Sequence, residues 1–317
     1  MARNIPQVKV GSFNLPKVIL GYDPFQVYTA LYSRPHEKKA IYKQLFSDVS
    51  GIVDVIFAAM GEGVDTLGFK RYSNLVKAVD HLRKQGTDPK LIPMIYQIPL
   101  KIGDTTVSAN RIQATILKHR NYIKQEPAYQ EYVSSEEYRK EEAATPLRNE
   151  EIRNLKIEED ELSDLLKWFS SKRCLKLVTT CVEFYALTRR LDLLEEIVKI
   201  CEKLGFKVCA GSHMSNVFDI LERENLRFPA YYAPLNKMGF FMLPSREAML
   251  QSLSRIKAPL IAIKPLAGGR IPPWDAFDYI FGLRDDVVCM VGLSSAKEVK
   301  ETISAAEESL RKGLAQA

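Results

Sequence analysis

Eight times along the chain a short apolar run gives way to a longer stretch with apolar residues at helical spacing. No other feature of the sequence limits its fold as much. The runs cover 17–21, 64–69, 91–99, 175–183, 207–211, 230–234, 260–264 and 287–292. After the fourth run, Leu191, Leu194, Ile197, Val198, Cys201 and Leu204 recur at helical intervals, and Gly205 stops that helix before the next strand. A strand, a helix and another strand joined by short loops must pair in parallel, because each crossover returns over the sheet. Eight such units close into a (β/α)8 TIM barrel, an α/β fold that fits 317 residues as a single domain.

Two segments modify the plain barrel. Residues 8–10 and 13–15, around Gly11-Ser12, read as an N-terminal β-hairpin within 5–15, placed outside the barrel at its bottom. Residues 101–156, after strand three, form a polar and aromatic insertion in which Ser134 and Glu137 have capping-box spacing. A loop leaving the carboxyl end of a barrel strand emerges on the catalytic face. The insertion therefore reads as a lid over that face, or equally as a subunit contact in a homo-oligomer.

Hydrophobic residues make up 46% of the chain and charged residues 26%, ordinary globular proportions that exclude disordered, collagen-like and disulfide-scaffold classes. The net charge of +6 is spread out, and no lysine–arginine block tracks phosphates, so no nucleic-acid partner is expected. The five cysteines (Cys174, Cys181, Cys201, Cys209, Cys289) form no C-x-x-C pair. No stretch has the apolar length of a membrane span, and the first residues lack a signal-peptide core. A cytoplasmic protein without membrane partners is expected.

Barrel enzymes place their chemistry at the carboxyl ends of the strands. Lys264 stands there between an apolar strand and a Pro-Leu turn, poorly placed for free solvation. Such a cation is retained when it meets an anion or a carboxylate. Gly268 and Gly269 allow close backbone approach, and Arg270 offers a bidentate clamp. Gly292, Ser294 and Ser295 open the last helix, where exposed N–H groups and hydroxyls suit an anion. Ser295 and Glu298 also match a capping box, which would use those groups internally.

His213 is the one histidine at a strand end; His36, His81 and His119 lie in helical or loop patterns without metal-ligand spacing. It is a candidate general acid or base, although a loop histidine often serves only as a hydrogen-bonding group. Alternation along strand four sets Glu183 on the same face as Thr179 and Cys181, as an acid or base or as a surface carboxylate past the strand end. Asn236 and Tyr232 shape the pocket from strand six. No metal site is expected, since neither H-x-H nor H-E-x-x-H occurs.

In order and spacing, Lys17–Val18–Ile19–Leu20–Gly21, Gly211–Ser212–His213–Met214–Ser215, Ile261 through Gly269, and Val291–Gly292–Leu293–Ser294–Ser295 through Val299 resemble the aldo-keto reductase superfamily. The likeness is good over 175–310 and thin before it. It implies the barrel fold, the leading hairpin and a nucleotide-type site after strands five, seven and eight, with NADP as the cofactor to be considered. It also implies carbonyl reduction by a tetrad of Asp, Tyr, Lys and His, and there this chain departs. Gly68 stands where the aspartate belongs, Asp65 comes about three residues early, and Tyr72 falls near the tyrosine position. Strand three ends in Tyr96-Gln97 instead of lysine, and Cys181 replaces the histidine. Ile263 replaces the aromatic that stacks on nicotinamide, and the Ser-Asn pair appears as Ser212-His213. The cysteines of the iron–sulfur subgroup are missing as well.

A tyrosine without its lysine keeps a pKa near 10 and donates a proton poorly to an alkoxide. The expected function is thus a divergent barrel lacking the usual tetrad. It binds a small anionic or phosphorylated metabolite and performs non-redox chemistry with Lys264, His213 and Glu183. The alternatives are an NADPH-dependent oxidoreductase with a rearranged tetrad, and a non-catalytic ligand-binding or assembly subunit.

Overall fold

The structure is a computed structural model and describes residues 5–26, 36–125 and 129–316. The chain opens with the antiparallel hairpin β1 (Gln7–Val10) and β2 (Phe13–Pro16), and Gly11 adopts a φ of 59° in its turn. Alternation along the hairpin buries Val8, Val10 and Leu15 and exposes Lys9 and Asn14. The remaining strands are β3 (Val18–Gly21), β4 (Thr66–Phe69), β5 (Lys90–Ile95), β6 (Leu100–Ile102), β7 (Thr105–Thr106) and β8 (Leu155–Ile157), followed by β9 (Leu177–Cys181), β10 (Lys207–Gly211), β11 (Tyr231–Pro234), β12 (Leu260–Ile263) and β13 (Val287–Gly292).

Eight of these strands bond side by side in the order β10-β11-β12-β13-β3-β4-β5-β9, closing a barrel. Where pairing registers are defined within it, they are parallel. Sheets covered on both faces need apolar side chains in both directions, and every residue of β3, β4, β11 and β12 is buried. The runs legible in the sequence are the barrel strands; two keep their bounds and four are shortened by one or two residues.

Contacts divide the chain into two compact units. The first comprises Met1–Ile92, Ala230–Met242 and Lys257–Ala317, and the second Pro93–Pro229 and Leu243–Ile256. The first holds β3, β4, β11, β12 and β13; the second holds β9, β10 and the strands of the insertion.

Two strand boundaries differ from the sequence pattern in ways that matter. The third run was expected to continue to residue 99, yet β5 ends at Ile95. Beyond it Leu100–Ile102 turns to a different partner, pairing antiparallel with Leu155–Ile157 and with Thr105–Thr106. The insertion 101–156 is therefore pinned at its neck by a three-stranded sheet that local periodicity did not reveal. The fourth run was expected to reach Glu183, but β9 stops at Cys181 and Glu183 opens the short helix Glu183–Leu187. Strand alternation consequently says nothing about where its carboxylate lies.

Within the insertion, Arg111 donates to Glu151 at 2.9 Å and to the Thr145 carbonyl at 3.1 Å, tying its helices together. The helix Glu136–Ala143 is capped by Ser135, whose hydroxyl accepts the Tyr138 N–H at 3.1 Å. Ser134, the residue marked by spacing, has helical backbone angles (φ −84°, ψ −5°) that end the preceding helix, whereas Ser135 is extended and free to cap. The Glu137 side chain lies outside the described residues.

Candidate functional site

In the first unit, the carboxyl ends of β3, β11, β12 and β13 surround a cleft of about 600 Å³. Gly21 and Gly292 pair across β3–β13 and both line it, exposing backbone without side chains. A Cβ on Gly21 would come within 3.2 Å of the Gly292 nitrogen. Tyr232, Ile263, Met290, Lys264 and the Gly268–Gly269 turn line the cleft as well, together with Tyr22 and Asp23.

Lys264 follows directly on β12 with a φ of 53°, a left-handed conformation costly for a residue with a Cβ. Ala267, Gly268 and Gly269 share positive φ values of 47°, 70° and 85°. The turn is closed by the Ala267 N–H donating to the Lys264 carbonyl at 2.9 Å. Its side chain is only 10% exposed, and Nζ sits 4.0 Å from Asp23 Oδ2 and 5.2 Å from the centre of the Phe241 ring. The expectation of poor solvation at this lysine agrees with that burial.

A second amine stands nearby. Lys70, just after β4, reaches Gln26 Oε1 at 3.5 Å, and burial pushes its pKa down against the opposing attraction of Asp23. Sequence reading passed over Lys70, although it follows an apolar strand much as Lys264 does. At Gly68, in β4, an added Cβ would meet Tyr22 Cδ1 at 3.2 Å and Met290 Cε at 3.3 Å.

The other residues expected at this site have tasks within their own loops. Arg270 donates to the Ala267 carbonyl at 3.0 Å and stacks 4.5 Å over the Phe240 ring. Asn236 is fully buried; its amide donates to the Phe240 carbonyl at 2.9 Å and its Oδ1 accepts the Phe240 N–H at 2.8 Å. At the start of helix Ala296–Gln316, Glu298 Oε2 accepts the Ser294 N–H at 2.9 Å and its hydroxyl at 2.5 Å. Ser295 Oγ accepts the Glu298 N–H at 3.1 Å. Half of the expected capping box is formed, through Ser295 Oγ; the Glu298 carboxylate turns to Ser294 instead and sits where an incoming anion would find it.

The second unit holds a different cluster around Glu183, which is 1% exposed. Glu183 pairs with the buried Arg120 through its Oε2 and receives the His213 N–H on Oε1 at 2.5 Å. Ser212 Oγ lies 3.2 Å and His213 Nδ1 3.6 Å from the same Oε1. Burial alone would raise the Glu183 pKa; the Arg120 guanidinium and the His213 contacts outweigh it and hold the carboxyl below its ordinary value. Glu183 is thus neither on a strand face nor on the surface. It is a buried anion whose oxygens are committed to Arg120 and to the turn at 212–213. His213 is 8% exposed, and its carbonyl accepts the Leu243 N–H at 2.9 Å. Nothing local marked Arg120, since its partner lies 63 residues away.

Also in this unit, Tyr96, Ile98, Ile112, Cys181 and Phe184 help to line a smaller hollow of about 290 Å³. Burial, reinforced by Glu183, pushes the Cys181 thiol well up, which removes its thiolate at neutral pH. Among the described residues, no three His, Cys, Asp or Glu side chains gather as metal ligands, and no helix is long and apolar enough to cross a membrane.

A leading hairpin, eight strands in closed order and a cleft at the carboxyl ends of the strands define a (β/α)8 barrel. The solved structures agree. The chain is similar in fold to a protein of Pseudomonas aeruginosa assigned to the aldo-keto reductases, with 12% identity over 98% of this chain and 99% of that one, at a TM-score of 0.52. It is similar to Gox0644 in its apo form, with 9% identity over 98% and 94% of the two chains and a TM-score of 0.54. A variant of Gox0644 bound to NADPH matches at 8% identity over 98% and 93%, with a TM-score of 0.50. No family model and no curated protein matches the sequence. At such identities the likeness is one of fold, and function has to be argued from the site.

Proposed function

We propose that this barrel binds a small anionic or phosphorylated metabolite in the cleft beside Lys264 and acts on it without hydride transfer. The observation that carries the reading is the placement of Lys264: a nearly buried lysine in strained backbone, lining a cleft that Gly21 and Gly292 also line. Strained conformations held by surrounding structure concentrate at ligand sites. Lys264 supplies the cation, the Gly268–Gly269 turn with Gly21 and Gly292 lets a ligand lie against backbone, and Tyr232 lines the pocket. Glu183 and His213 hold their own turn in the second unit and receive no step in this scheme.

The fold class implies a nicotinamide cofactor, as in the NADPH-bound Gox0644 variant, and the residues here fit it poorly. Glu298 presents a negative charge at Ser294, where the helix start would otherwise favour a phosphate. Around Gly68 the space for a side chain is taken by Tyr22 and Met290. No step is therefore routed through the cofactor.

Titration calorimetry with inorganic pyrophosphate, and separately with NADPH, tests the reading. Pyrophosphate binding that disappears in Lys264→Met, with NADPH binding absent, supports it. Tight NADPH binding with turnover of an aldehyde would overturn it in favour of a reductase with rearranged groups.

A further inference from the structure

Lys264, Lys70 and Asp23 stand together in the first unit, two amines around one carboxylate. The Lys264 ammonium is the charge that an anionic ligand in this cleft would meet. Asp23 is half-exposed and lines the cleft with Lys264, so both are within reach of a ligand there. The left-handed turn fixes the origin of the Lys264 side chain, and its buried stem limits where the amine can go.

We infer that Lys264 forms an imine with a small carbonyl compound carrying an anionic group close to the carbonyl, such as a 2-oxo acid or a phosphorylated ketone. The inference rests on the anion-binding reading of the same cleft and names the substrate class. Asp23 takes one proton from the Lys264 ammonium, and the freed Nζ lone pair attacks the carbonyl carbon as the C=O π electrons move to oxygen. The oxygen receives the Asp23 proton and a second proton from nitrogen, the C–O bond breaks, and water leaves. Ammonium and carbonyl have become a protonated imine and water, with no oxidant or reductant consumed. Asp23 ends as it began, a carboxylate. The imine nitrogen keeps the positive charge, so attraction for the ligand's anion survives bond formation. The 4.0 Å separation of Nζ and Asp23 Oδ2 is a little beyond hydrogen-bond reach, and such contacts tighten when a ligand displaces water. Burial likewise pushes the pKa of Lys70 down.

Reductive trapping tests the step on the full chain. The protein is incubated with pyruvate, dihydroxyacetone phosphate or uncharged acetone, treated with sodium borohydride, and examined by intact mass and peptide mapping. The expected result is one adduct on the peptide containing Lys264, at least tenfold more abundant with one of the anionic probes than with acetone. The adduct is absent in Lys264→Arg, and in Asp23→Asn it forms at least tenfold more slowly. Which anionic probe reacts separates the carboxylate from the phosphate source. Labelling spread over surface lysines, or unchanged in Lys264→Arg, overturns the inference. If Lys264→Arg does not fold, mapping of the wild type and the Asp23→Asn rate decide in the same terms. Pyrophosphate binding without an adduct overturns the imine alone; loss of both overturns the anion-binding reading too.

Discussion

Arg120 and Glu183 form a buried ion pair across 63 residues of sequence, with side chains 9% and 1% exposed. The pair anchors the insertion to the end of β9. It also fixes the turn at Ser212 and His213, whose groups converge on the other oxygen of Glu183.

Replacing Glu183 by Gln leaves a guanidinium buried without its counter-charge. Breaking a buried pair from one side costs about 3–5 kcal/mol. Urea unfolding of Glu183→Gln should show a loss of that size, and a loss under about 1 kcal/mol would mean the pair is more hydrated than its burial implies.

The same pair sets an acid dependence. The Glu183 pKa is lower folded than unfolded, so its contribution to stability is fully present above the ordinary carboxylate range. It declines as pH falls through that range toward the lowered folded value. Thermal melts of the wild type should lose Tm as pH drops below the carboxylate range, and Glu183→Gln should lose less over the same interval.

Glu298 closes the start of the last helix with its own charge. Glu298→Gln keeps the hydrogen-bonding shape and removes the negative charge, which at a helix start is worth about 0.3–1 kcal/mol. Pyrophosphate affinity should then rise by roughly two- to fivefold, and calorimetry at low salt would show it. An unchanged affinity would place the anion away from Ser294.

Gly68 lies in a fully buried strand beside Tyr22 and Met290. Aspartate there must displace both neighbours and ionise in an apolar setting, at a cost of about 1–3 kcal/mol from crowding alone. Gly68→Asp should lower Tm without conferring NADPH-dependent aldehyde reduction. Gain of that activity would show that the reductase arrangement is one residue away.

Lys264→Asn removes the amine while substituting a residue that tolerates a positive φ. Strain of this kind costs about 1–3 kcal/mol, so relief should offset part of the lost packing. The variant should fold with a Tm close to the wild type and bind no pyrophosphate. A large fall in Tm would make Lys264 a packing residue first.

The barrel strands, the hairpin and the position of Lys264 were legible in the sequence. Each depends on signals carried within a few residues: apolar runs, glycines at turns, a lysine directly after a strand. Only the tertiary structure decided the partners. It ended β5 at Ile95, paired Leu100–Ile102 with Leu155–Ile157, set Arg120 against Glu183, and gathered Lys70, Asp23 and Lys264 from three strand ends. It also spent Ser294 on Glu298 and Asn236 on Phe240. Strand and helix formation follow from local periodicity, whereas the pairing of charges and the filling of buried hydrogen bonds depend on which distant segments the closed sheet makes neighbours.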